Sequence, residues 1–85
     1  MTQAREILRD MLVTAGEQAA REAFLKYYEA CRRPAIMDFG PPASETDKDV
    51  MWAARQALFE MDLHSRIWEI GRAVDFRLIC ERDRG

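Results

Sequence analysis

One histidine, two cysteines, four glycines and three prolines are spread through 85 residues, and each shortage closes off a chemistry. Metal sites that bind tightly use three or four protein ligands. His64 has no second histidine and no nearby cysteine to join it. Glu60 precedes it by one helical turn, so the two share a face as a metal pair or an acid–base pair would. Two ligands are too few, and the spacing reads as an ordinary Glu–His pair on a wet surface. The acidic cluster Glu45, Asp47 and Asp49 falls where a helix begins, and carboxylates suit that end without any metal. The ExxE spacing of di-metal nucleotide hydrolases is absent, and Gly16, Gly40, Gly71 and Gly85 are too scattered to cradle a phosphate. Cys31 lies beside Arg32 and Arg33, which favour a thiolate, but no base neighbours it and it falls on an apolar stripe. With Cys80 far away in sequence and no CxxC pattern, both thiols are expected reduced. No enzyme, metal or cofactor is expected.

Charge of one sign is also missing. Fifteen acids against 13 bases leave a net −2, which gives no bulk attraction to nucleic acid or an anionic membrane. Long apolar runs are missing too, the longest being Val50–Ala54. Arg5, Glu6, Arg9 and Asp10 interrupt the first apolar residues, so neither a signal peptide nor a membrane span is expected. The expected location is the cytoplasm. No segment alternates apolar and polar residues long enough for a strand.

What the chain does have is helical periodicity from end to end. The expectation is a single all-α domain over residues 1–85: a small bundle of three or four helices, in two halves joined by a Pro/Gly elbow at about 33–44. Thr2 is a candidate N-cap for the first half, which is read as ending at Arg33. Ala4, Ile7, Leu8, Met11, Leu12 and Ala15 form one stripe near ~50°. Ala20, Ala23, Phe24, Tyr27, Tyr28 and Cys31 form another near ~200°. One straight helix cannot aim both at one core. A break at Thr14–Glu17 is expected, with Gly16 relaxing the backbone and Thr14 and Glu17 spelling a capping box; the alternative is a continuous or bent helix with contacts on two sides. Ser44 is the expected cap of the second half. The apolar phase shifts again near Asp62, where Asp62 or Ser65 would cap a fourth helix or the third would bend. Within the elbow, Asp38-Phe39-Gly40 spells the magnesium-binding tripeptide of protein kinases. The glycine-rich loop, lysine strand and catalytic loop that a kinase needs are not here, so this is a turn. Ile36, Met37 and Phe39 are expected to fold back over the core, with Phe39→Ala costing about 2–4 kcal/mol.

The informative excess is aromatic. Trp52 and Phe59 share a phase near ~150°, away from the Val50–Met61 core stripe near ~0°, and are flanked by Lys48, Arg55, Gln56 and Glu60. Trp68, Phe76 and Ile79 likewise fall off the Leu63–Leu78 stripe, and Tyr28 widens that of the second segment. Aromatics within a charged rim are the material of interface cores. The expected function is therefore protein–protein interaction, of the inhibitor or anti-activator type, in which the chain binds and occludes a partner and pairs with itself as a homodimer. Trp52, Phe59, Trp68, Phe76 and Tyr28 are the expected contacts. A DNA-binding alternative would use Arg66, Arg72 and Arg77 of the last helix. Glu69, Asp75, Glu81 and Asp83 interleave with these arginines, so a mixed-charge solvated face is the simpler reading and nucleic acid is the weaker expectation.

Overall fold

The computed structural model describes residues 3–84, and the expected cap at Thr2 lies outside them. Four helices follow one another: α1 (Gln3–Ala15), α2 (Glu17–Met37), α3 (Glu45–Glu60) and α4 (His64–Arg84). No strand occurs among the described residues. The all-α bundle expected from the periodicity is what forms.

Each helix boundary has a local cause. The first break falls at Gly16, whose φ of 105° is open to glycine and strained for other residues. Gly16 itself occupies the N-cap of α2 with no side-chain bond to the helix, and Thr14 remains inside α1. The break is where the phase shift put it, but the Thr14–Glu17 capping box does not form. Ser44 does what its position predicts. Its hydroxyl accepts from the Asp47 amide at 3.0 Å, and the Asp47 carboxylate accepts from the Ser44 amide at 3.3 Å.

The α3–α4 corner is a Schellman turn. The Leu63 amide donates to the Leu58 carbonyl at 2.9 Å, and the Asp62 amide donates to the Phe59 carbonyl at 3.1 Å. Asp62 therefore takes the left-handed position (φ 61°) that glycine usually fills. It neither caps α4 nor bends α3; it ends α3 outright.

Two expectations about the elbow need correction. Pro34 does not bound the first half, because α2 runs through it to Met37. A proline this near a helix end removes one backbone bond that the neighbouring turns can spare. The elbow is thus confined to 38–44. Asp38 is the left-handed C-cap of α2, its amide donating to the Pro34 carbonyl. Phe39 is 75% exposed and plugs nothing. The left-handed residues Asp38 and Gly40 on either side carry it outward over a shallow cleft lined by Met37, Pro41 and Pro42.

Packing centres on α2 and α3. Among the described residues the buried side chains are Ala20, Phe24, Ala53, Ala54, Ala57, Leu58, Val74 and Leu78. Half of these are alanine, so helix axes approach closely but little apolar volume is enclosed. α1 lies chiefly on α3 and α4 chiefly on α2, while α1 and α4 share no contact. The result is a flattened body with Cα extents of 40 × 28 × 15 Å. No residue of α1 is fully buried.

Asp62→Gly is expected to raise stability by about 0.5–1 kcal/mol, because it relieves a left-handed non-glycine residue while leaving the turn's two bonds intact. Phe39→Ala is expected to change stability by less than about 0.5 kcal/mol, as exposed substitutions do. Urea unfolding midpoints of the two variants check both. A loss of several kcal/mol in Phe39→Ala would show that the elbow closes over the core after all.

Candidate functional site

α3 and α4 both pack on α2 but touch each other only lightly. Between them lies a groove of about 330 Å³. Phe24 and Tyr28 of α2 form its floor, Met51 and Arg55 of α3 one wall, and Ile67, Trp68, Gly71 and Arg72 of α4 the other. The Phe24 and Tyr28 rings sit 5.2 Å apart in a tilted arrangement, which fixes the floor. Gly71 faces the Tyr28 ring, and a β-carbon added there would lie at ordinary contact distance, 3.7 Å from the ring. Nothing in the packing of α4 excludes a methyl group at this position.

Polar order at the groove's end comes from Asp75. Its carboxylate accepts from the Tyr28 hydroxyl at 3.2 Å and from the Arg32 guanidinium at 3.0 Å. Burial, followed by the neighbouring Asp75 charge, pushes the Tyr28 phenol above its usual range. Sequence reading assigned Asp75 only to a solvated charge pattern. Its spacing from Gly71 (i+4) and Leu78 (i−3) places it on the core-facing side of α4, and that was the available signal.

Further ion pairs join α2 to α4. Arg33, which also bonds Glu29 one turn back in α2 at 3.2 Å, donates to Glu81 at 2.9 Å, Arg77 bonds Glu29, and Arg66 approaches Glu17 at 3.9 Å. Of the arginines considered for DNA contact, Arg66 and Arg77 are therefore held by carboxylates. Arg72 instead lies over the Trp68 ring, 5.9 Å from its centroid. Arg55 and Arg72, on opposite walls of the groove, have no carboxylate partner among the described residues.

The aromatic residues singled out by sequence are distributed unevenly. Trp68 (69% exposed), Phe76 (71%) and Ile79 face solvent on α4, away from the Val74–Leu78 side. Tyr28 lies in the groove floor. Trp52 and Phe59 do not form a common free strip. Trp52 is half-buried with Arg5 of α1 over its ring at 5.6 Å, because α1 packs along this flank of α3. Phe59 is exposed and stacks on His64 with centroids 4.2 Å apart. Met51, Arg55, Ile67 and Gly71 were missed as groove residues, since only the splay of α3 from α4 brings them together.

The residues weighed for catalysis have other partners. No cluster of three or more metal-ligating side chains occurs among the described residues. Glu60 pairs with Arg9 at 3.7 Å, whereas His64 approaches Asp62 at 3.5 Å. Both cysteines are free. Burial, and then the Asp47 charge, raise the Cys31 thiol above its usual range, the reverse of activation. Arg32 and Arg33 are spent on Asp75, Glu81 and Glu29. No described helix is long and apolar enough to cross a membrane. Comparison with protein-family models, curated proteins and solved structures gives no match, so geometry alone bears on function.

The α2–α4 pairing generates a pH dependence. Hydrogen bonds from Arg77 hold the Glu29 carboxyl below its usual 4.5 despite partial burial. A depressed folded-state pKa contributes stability above the unfolded value, and that contribution disappears as pH falls through the folded value. Wild type should therefore lose stability between about pH 5 and about pH 3 more steeply than Glu29→Gln. Unfolding midpoints across that range measure the difference; parallel curves would mean that the Glu29 pairs contribute nothing. A second outcome concerns Gly71. Gly71→Ala should raise thermal stability by about 0.5–1 kcal/mol, since alanine favours the helix and the methyl meets no clash. A fall in the melting temperature would show that the Tyr28 ring has no room to spare.

Proposed function

We propose that this chain is a small protein-binding module whose working surface is the outer face of α4 with the adjoining groove. It acts by occluding a protein partner, and in the partner's absence the same surface joins two copies as a homodimer. One observation carries the reading. Trp68, Phe76 and Ile79 stand in solvent beside an apolar groove, on a chain that buries few large side chains of its own. Large aromatics rimmed by arginine are the residues that dominate binding energy at interfaces. A short chain with a small core also gains most from covering such a surface. The carboxylates that hold Arg66 and Arg77 favour this over a phosphate-binding stripe.

Multi-angle light scattering at tens of micromolar should give a mass near twice 9.9 kDa. Trp68→Ala with Phe76→Ala should weaken association by about 1–4 kcal/mol while helicity stays unchanged, because neither side chain supports the fold. A monomer of wild type at every concentration would remove the self-association; a dimer indifferent to both substitutions would move the surface elsewhere.

A further inference from the structure

We infer that the groove between α3 and α4 receives α1 from a second copy of this chain. The inference rests on the self-association proposed above and names the two faces that make it.

α1 has two apolar sides and uses only one. Leu12 and Val13 pack against the core within the chain, and Arg5 and Arg9 reach Asp49 and Glu60 of α3. Ala4, Ile7, Met11 and Ala15, at spacings of three, four and four, make a second stripe that faces solvent. Ile7 is 58% and Met11 61% exposed. Asp10 lies along the edge of this stripe, sharing a shallow surface depression with Ile7 and Met11. Among the described residues it pairs with the adjacent Arg9, and its side chain is 68% exposed.

The groove offers the complement. Met51 and Ile67 present apolar surface over the buried Phe24 ring, and Trp68 stands at the mouth. Arg55 and Arg72 flank it with no carboxylate partner among the described residues, while the Asp75 carboxylate at its end is taken up by Tyr28 and Arg32. An apolar stripe with an acidic edge therefore meets an apolar groove with basic edges, which fixes orientation as well as affinity. Within one copy this contact is not made, since α1 and α4 do not touch. Made reciprocally across a two-fold axis, it covers both exposed stripes and closes as a dimer.

Sedimentation equilibrium on the full chain tests the pairing. Ile7→Ala with Met11→Ala should raise the dimer dissociation constant at least about tenfold. Both side chains are exposed, so circular dichroism of the monomer should not change. Asp10→Arg and the pair Arg55→Glu/Arg72→Glu should each weaken the homodimer, by about three- to thirtyfold at low salt. Mixing the Asp10→Arg chain with the Arg55→Glu/Arg72→Glu chain should restore a contact with swapped charges and yield mixed dimers tighter than either parent. If the dimer weakens on Trp68→Ala but ignores every α1 substitution, and no mixed dimer gains, α1 is not the occupant and the inference is overturned while the self-association stands. A wild-type chain that stays monomeric removes both.

Discussion

The close contact of α2 with α3 is the constraint on which the other placements depend. Ala20 on α2 and Ala54 and Ala57 on α3 let the two backbones approach, and Phe24 and Leu58 fill the space that remains. Small residues at a helix crossing bring axes together and gain many weak dispersion contacts, but they enclose little volume. Once α2 and α3 are fixed, Gly16 and the Asp62 turn return α1 onto α3 and α4 onto α2. The outer helices then have no surface left to share with each other. A flattened body follows, and with it the exposed apolar stripes on both outer helices.

α4 is held to α2 by polar groups as much as by apolar ones. Val74 and Leu78 are buried, and around them Tyr28, Arg32, Arg33 and Glu29 bond Asp75, Glu81 and Arg77. Such partly exposed pairs contribute little energy individually, yet their directionality selects one rotation of α4 about its axis. That rotation turns Trp68, Phe76 and Ile79 outward and opens the groove over Phe24 and Tyr28. The same bonds take up Arg77, one of the three arginines of the basic stripe. The outward turn of the α4 aromatics and the pairing of Arg77 thus share one cause.

Features set within a few residues were legible in advance. Ser44 with Asp47 forms its reciprocal cap, and the phase shifts near Gly16 and Asp62 mark real helix ends. Local reading failed where two local solutions competed. At 14–17 a side-chain cap by Thr14 lost to a glycine backbone that ends α1 later and starts α2 at once. At Pro34 the usual rule against proline in a helix lost to the cooperativity of a long α2, which extends one more turn before Asp38 caps it. Phe39 was expected inside because it is large and apolar, but the flanking left-handed residues decide its direction, and they turn it out.

The sequence by itself determined that the chain is helical, where most helices start and stop, and which residues are off the core phase on α4. These properties depend on side chains within about one helical turn of each other, and spacing along the chain records them. Only the tertiary structure decided which off-phase residues stay free. Trp52 and Phe59 have the same phase on α3, yet α1 lies over one and leaves the other in water. Glu69 and Asp75 looked alike as surface acids, yet Glu69 pairs within α4 with Arg66, whereas Asp75 anchors Tyr28 and Arg32 of α2 at the end of the groove. The difference is made by whichever helix packs alongside, 40 or more residues away along the chain for each Asp75 bond, and helical phase carries no information about that neighbour.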